Sequence, residues 1–354
     1  MSGPVLPRRQ VLVGDARERL RELPDASVDC VITSPPYFGL RDYAVGGQLG
    51  AERHVDAWVQ GLVGVCRELA RVLKPSGSLW LNLGDGYSRQ PREGAAKKSL
   101  LLGPERVAFA LTEEGWLLRN KVIWAKTNPM PSSVADRLSC SHEVLYFLTR
   151  ERHYYFDLNA IRVPAVTAIH SGRSSPASHY PPRNAVPHVG RTPRVDLNHG
   201  LAALKAAGRE HHPLGKNPGD VWLIATGAYR RAHFATFPIE LVRRPLLATC
   251  PEQVCAACGT PWQRVMQRQQ GRLLATGPLR PVCGCHGNGN PVSRPGVVLD
   301  PFLGAGTVAL AAEQYGRDWV GIELNAEYAV MAERRIGKQH AAREKKQARE
   351  ERNQ

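Results

Sequence analysis

Apolar residues fall into short runs separated by polar turns rich in glycine and proline. The run Val11-Leu12-Val13 closes on Gly14-Asp15 and predicts a strand. Residues 17–23 keep helical spacing, with Leu20 and Leu23 on one face, until Pro24-Asp25 breaks it. A second strand is predicted at 28–32. Strand, helix, strand in succession is a βαβ unit and implies a parallel sheet.

The pattern continues with a helix at 57–73, carrying Trp58, Leu62, Val65, Leu69 and Val72 on its apolar face. Pro75-Ser76-Gly77 is expected to end it before a strand at 78–83. The polar, basic stretch 89–98 is expected to be mobile. A helix at 101–114, a strand at 117–125 and a fully buried strand at 143–149 follow. Periodicity dissolves over 160–220 and returns at 220–224. Phe234 leads into a helix reaching 247, with Pro238 expected in its first turn. Strands at 297–300 and 319–323 enclose a helix at 308–315, and the charged tail beyond 337 is expected to fray.

Two junctions in this pattern carry chemistry. The strand at 28–32 runs into Thr33-Ser34-Pro35-Pro36-Tyr37. Neither proline can donate to a sheet ladder, so the strand must end there. A hydroxyl, the carbonyls of Ser34 and Pro35, and an aromatic ring are then gathered at the strand's mouth, suited to holding a flat aromatic amine. The same residues would also serve as a plain loop closing a strand. The second junction is Asp300-Pro301-Phe302-Leu303-Gly304-Ala305-Gly306-Thr307, which links a strand to a helix. Its glycines allow a tight turn and close approach of a ligand, and the helix start offers free N–H groups. Glu323 ends the next strand, where an acidic residue commonly bonds ribose hydroxyls. No phosphate-binding lysine follows the turn, so an adenosine-bearing cofactor without a P-loop is expected, S-adenosylmethionine rather than a dinucleotide.

Charge sharpens this picture. The 354 residues carry a formal net charge of +15, with 37 arginines against 10 lysines. Such a balance suggests a polyanionic partner, most simply nucleic acid. Over 160–220 the basic residues include Arg162, Arg173, Arg183, Arg191, Arg194, Lys205, Arg209 and Lys216. That stretch reads either as a linker or as a nucleic-acid-reading region. No apolar run approaches a membrane span and no secretory signal is seen, so a cytoplasmic protein is expected.

The two junctions together resemble the amino-methylating DNA methyltransferases, S-adenosylmethionine-dependent enzymes of cytosine N4 or adenine N6. The catalytic motif comes first and the cofactor motif last, which resembles their permuted beta group. Gly14-Asp15, Asn128-Pro129 and Phe237-Pro238 fit that arrangement. The resemblance covers roughly 10–160 and 220–335. It implies an α/β fold: a Rossmann-like, mostly parallel sheet in permuted order with a basic target-recognition region. It implies that Ser34, Pro35, Pro36 and Tyr37 hold and stack the target base. Asp15, Phe237, Pro238, Asp300, Pro301, Phe302, Gly304, Gly306, Thr307, Glu323 and Asn325 would line the S-adenosylmethionine site. Double-stranded DNA is the implied partner, with a cognate restriction endonuclease beside it. Ser34 at the head of the motif favours cytosine N4 in this family, adenine N6 being the alternative. A carbon-5 enzyme is disfavoured, because no Pro-Cys dipeptide occurs. A zinc-containing DNA-binding protein with an inactive methyltransferase fold is the reading from another class.

Eight cysteines in such a chain suit metal or burial better than disulfides. Cys255, Cys258, Cys283 and Cys285 form two close pairs, the ligand set of a structural zinc site. Cys-x-Cys is the less usual half, so Cys250 or His286 could replace a ligand. Arg264, Arg268 and Arg272 in the same insertion could add DNA contacts, and Cys30, Cys66 and Cys140 are expected in the core. The expected division is 1–159 catalytic half, 160–220 target recognition, 221–249 return to the fold, 250–290 zinc insertion, 291–337 cofactor half and 338–354 tail.

Overall fold

A computed structural model describes residues 6–40, 46–164, 212–227, 237–269, 272–285 and 290–352. Its central feature is an eight-stranded sheet. In chain order the strands are β1 (Gln10–Val13), β2 (Val28–Thr33), β3 (Leu73–Leu83), β4 (Leu117–Lys126), β5 (His142–Thr149), β6 (Val221–Ile224), β11 (Val297–Asp300) and β12 (Asp318–Glu323). Their order across the sheet is β1-β12-β11-β2-β3-β5-β4-β6. Every neighbouring pair is parallel except β3 with β5 and β5 with β4. So β5 alone runs against the rest, and the sheet is mainly parallel as expected. The smaller strands are β7 (Val254–Cys255), β8 (Gln263–Gln269), β9 (Arg272–Arg280) and β10 (Ser293–Arg294). β7 pairs with β10, and β8 with β9.

Helices α1 (Ala16–Arg21), α2 (Val55–Val72) and α3 (Gly103–Glu113) pack on one face of the sheet, and α4 (Ile239–Thr249), α5 (Thr307–Gln314) and α6 (Ala326–Arg352) follow later in the chain. The first face buries Leu20, Trp58, Leu62 and Leu69 over Val31 and Leu79. The second buries Leu241, Val242 and Val308 over Cys30, Ile32 and Trp80. With both faces covered, β2 is buried along its whole length, which explains its near-continuous apolar sequence. Among the described residues, no helix is long and apolar enough to cross a membrane.

The chain divides into two compact units. One holds 1–160, 219–263 and 279–354 and contains the sheet. The other holds 161–218 and 264–278. Within this second unit Val163 and Lys216 exchange backbone hydrogen bonds. The basic stretch expected to read nucleic acid lies outside the described residues from 165 to 211. So do Arg41, Asp42, Tyr43 and His286, as do the side chains of Arg268 and Arg272.

Several expectations are corrected. Pro75-Ser76-Gly77 does not separate helix from strand, because β3 starts at Leu73 directly after α2. The register with β2 jumps from Val28↔Leu73 to Cys30↔Ser78, and the proline sits in that irregularity, where no ladder bond is lost. The stretch 89–98 is folded around a buried Glu93, which accepts from the Arg89 backbone N–H at 2.8 Å, and Ser88 bridges the carbonyls of Gln90 and Ala95. Pro238 caps α4 instead of entering its first turn, and the proline inside that helix is Pro245. The tail beyond 337 is helical, as α6 continues to Arg352. Cys30 and Cys66 are buried as expected, but Cys140 is exposed, on the loop after β4.

Candidate active site and cysteine cluster

Because β5 runs against its neighbours, the carboxyl ends of β1, β12, β11, β2, β3 and β4 and the start of β5 lie along one edge of the sheet. Open α/β sheets place ligands at that edge. The residues with candidate chemistry gather there.

On the β2 side, Ser34 Oγ lies 3.1 Å from Tyr37 Oη. Tyr37 Oη donates to Glu143 Oε2 at 2.7 Å. Asn82, near the end of β3, reaches Tyr37 Oη and Glu143 Oε2 at 2.7 Å each and Ser34 Oγ at 3.3 Å. Lys126, the last residue of β4, donates to Glu143 Oε1 at 2.6 Å. One carboxylate thus collects a phenol, an amide and an ammonium, and the phenol passes the contact to Ser34. The turn itself is held by Trp58, whose Nε1 donates to the Pro36 carbonyl at 2.9 Å. Gly84 makes room for the tyrosine: a Cβ there would lie 2.7 Å from the Tyr37 ring.

On the β11 side the backbone does the work. Gly304 takes φ +50°, and a Cβ there would meet only the Phe302 carbonyl at 3.9 Å, so its open side faces empty space. Gly304 N–H donates to Glu323 Oε2 at 2.8 Å, and Asn325 N–H to Oε1 at 2.9 Å. These donors favour the ionised Glu323, while burial, the larger influence, pushes its carboxyl above the usual range. Arg335 closes the turn by donating to the Ala305 carbonyl at 2.9 Å. At the end of β1, Asp15 caps α1 and pairs with Arg17 at 2.6 Å, whose hydrogen bonds hold its carboxyl below the usual range.

The two sides meet directly. β2 and β11 are neighbours, and Thr33 Oγ1 donates to Asp300 Oδ1 at 2.7 Å across 267 residues of sequence. Asp300 also accepts from Phe302 N–H at 3.1 Å, while its Oδ2 is buried and finds no donor among the described residues. Burial pushes the Asp300 carboxyl up to about 7.

Between the two sides lies a cavity of about 590 Å³. Ser34, Pro35, Pro36 and Tyr37 form one part of its wall. Pro301, Phe302, Gly304, Thr307, Glu323 and Asn325 form another, with Asp15 and Phe237 beside them. Pro238, Asp300 and Gly306 are not part of the wall. Asp300 lies beneath the turn, Gly306 packs against Ala332 of α6, and Pro238 caps α4. Asn82, Lys126 and Glu143 belong to the wall and were missed from the sequence. Their one signal was position, at strand ends along the edge that carries Ser34. An adenosine-bearing sulfonium suits this chamber: Glu323 offers lone pairs for hydroxyls, the open side of Gly304 admits close approach, and Phe237, Phe302 and Met331 supply apolar surface.

The sulfur atoms of Cys255, Cys258, Cys283 and Cys285 lie within 4.8 Å of one another. Zn–S bonds of about 2.3 Å in a tetrahedron have sulfur–sulfur edges of about 3.8 Å, so the four thiols are compatible with zinc. Hydrogen bonds from Thr260 pull Cys258 down to about 6, while hydrogen bonds with Cys258 and Cys283 push Cys285 up to about 12, so without a cation the cluster favours one thiolate over several. Cys250 is not among the gathered sulfurs and lies buried at the end of α4, so it does not replace a ligand.

Comparison with known proteins adds to this geometry. A family profile described as DNA methylase matches residues 28–334. The type II methyltransferase M.SmaI of Serratia marcescens is 33% identical over 349 residues, covering 92% of this chain and 90% of that protein. The type II methyltransferase M.Cfr9I of Citrobacter freundii is 33% identical over 347 residues, covering 91% and 86%. Among solved structures, the fold is similar to that of the PvuII DNA methyltransferase (cytosine-N4-specific), with a TM-score of 0.51, 18% identity and coverage of 93% of this chain and 86% of that one.

Proposed function

The chain belongs to the N6/N4 DNA methylase family, and from that premise we propose that it methylates the N4 amine of a cytosine flipped out of duplex DNA. The observation that carries this reading is the facing pair of walls: Ser34 and Tyr37 at the end of β2, and the Gly304 turn at the end of the adjacent β11, around one cavity. In a base amine the lone pair is delocalised into the ring. Ser34 Oγ and the Pro35 carbonyl accept its N–H bonds, bend it toward tetrahedral geometry and free the lone pair. Tyr37 stacks on the base and keeps it out of the helix. Bound along Glu323, Gly304 and Phe302, S-adenosylmethionine would supply a methyl group on a sulfonium.

When the amine gains a carbon it must lose a proton. Ser34 Oγ takes that proton and hands it through Tyr37 Oη to Glu143 Oε2, along contacts of 3.1 and 2.7 Å. Lys126 and Asn82 hold Glu143 in line. Residues 160–220 supply target recognition, 250–290 form a zinc-stapled insertion, and 1–159, 221–249 and 291–337 make up the methyltransferase fold. A net charge of +15 suits a duplex partner. Ser34, in place of the acidic or amide residue commoner at that position in adenine enzymes, supports cytosine. The relatives are type II methyltransferases, and a cognate restriction endonuclease is the partner they suggest.

Long-read sequencing of DNA from cells expressing the protein tests the reading. N4-methylcytosine at one short site, absent with Ser34→Ala, is expected. Modified adenine overturns the choice of base, and tight DNA binding with no methyl transfer overturns the enzyme.

A further inference from the structure

The loop joining β4 to β5, residues 127–141, rises from the cavity's edge, and its Met130 forms part of the cavity wall. It carries the two most exposed large apolar side chains among the described residues, Leu138 at 90% and Met130 at 86%. A single exposed leucine is ordinary on a protein surface. This one sits on a segment pinned on both sides. Before it, Asp136 pairs with Lys98 at 2.6 Å, and the Arg137 guanidinium lies 3.7 Å from the centre of the Tyr87 ring. After it, Cys140 Sγ contacts the same Tyr87 at 3.8 Å, and the Ser141 carbonyl accepts from Lys126 N–H at 2.9 Å. At the loop's start, Asn128 Oδ1 accepts from Thr226 N–H at 2.7 Å. The backbone is therefore restrained while the Leu138 side chain projects into solvent. A restrained apolar tip has little conformational freedom to lose on insertion. With Lys98 neutralised by Asp136, Arg137 leaves one net positive charge beside the tip, which suits a phosphate backbone as the surface it meets.

We propose that Leu138 is a wedge that enters the duplex and fills the place vacated by the target base. This rests on the reading that the cavity receives a flipped base. Extrusion leaves two base faces without a stacking partner, and an apolar side chain inserted there offsets part of the cost. Leu138 touches neither donor nor acceptor atom and acts by positioning.

The test compares wild type, Leu138→Ala and Leu138→Met on two duplexes carrying the mapped site. In one the target base is paired, and in the other it faces an abasic position. Leu138→Ala is expected to lower kcat/KM on the paired duplex by roughly tenfold or more and on the abasic duplex by less than about twofold, since the second substrate needs no unpairing. Leu138→Met should restore most of the paired-duplex rate, and S-adenosylmethionine affinity should stay unchanged in both variants. An equal loss on both duplexes, or none on either, overturns the wedge. If wild type methylates neither duplex, the flipped-base reading fails and takes the wedge with it.

Discussion

The two walls of the cavity are built on opposite principles. The β11 wall is one continuous turn, Asp300 to Thr307, closed by Glu323, and its shape is held by its own backbone N–H groups, those of Phe302, Gly304 and Asn325. The β2 wall is a mesh of side chains, Ser34, Tyr37, Asn82, Lys126 and Glu143, drawn from four strand ends. A wall made of backbone is local in sequence and tolerates change away from its glycines. A mesh depends on every member, because each donor there has an acceptor that burial would leave unpaired.

The largest effect should therefore fall on the mesh. Glu143→Gln keeps the shape and removes the charge that gathers Tyr37, Asn82 and Lys126. Single-turnover methyl transfer should fall by about 10²- to 10⁴-fold, the usual worth of a positioned proton acceptor. Calorimetric titration with S-adenosylmethionine should show unchanged affinity. A matching loss of cofactor affinity would break the comparison, because the two walls would then act as one.

The joint between the walls gives the next test. Asp300 is held by Thr33 and Phe302 through one oxygen, and burial raises its carboxyl to about 7. The folded state thus keeps a proton that the unfolded chain releases near pH 4. Stability is fully present below that value and is lost as pH rises toward 7, where the folded carboxyl ionises too. The slope should approach 1.4 kcal/mol per pH unit, with about 4 kcal/mol as the upper bound across the window. Asp300→Asn keeps an acceptor for Thr33 and cannot ionise. Urea midpoints between pH 4 and 7 should fall in wild type and fall less in the variant. Equal slopes would show that Asp300 does not carry this proton.

The contrast also explains how much could be read in advance. The β11 wall was legible as strand, glycine turn, helix and acidic strand end, all within 24 residues from Asp300 to Glu323. Tyr37 and Ser34 were legible because two prolines mark the strand's end. Glu143 was not, because its place depends on the direction of β5. Had β5 run parallel to β3, Glu143 would sit at the opposite edge of the sheet. Asn82 and Lys126 are likewise chemically ordinary until the strand order brings them to one carboxylate. Asp300 misled in the other direction: it belongs to the motif, yet its side chain lies beneath the turn and braces it. The cysteine pairs were readable from spacing alone, because metal ligands come with their own short-range geometry.

The smallest effect expected is on the backbone wall. Gly304 has φ +50°, a left-handed conformation that a β-branched residue adopts at a cost on the order of 1–2 kcal/mol. Among the described residues, the nearest atom to a Cβ there would be the Phe302 carbonyl at 3.9 Å, an ordinary contact. A valine would therefore fold in and project into the cavity. Gly304→Val should weaken S-adenosylmethionine binding by roughly tenfold, about 1.4 kcal/mol, and leave DNA binding intact. The rate at saturating cofactor should stay within a few-fold of wild type, since the mesh around Glu143 is untouched. The inverse pattern, full cofactor affinity with a collapsed rate, would place the Gly304 turn in the chemistry of the acceptor, and the division between a binding wall and a reacting wall would fall.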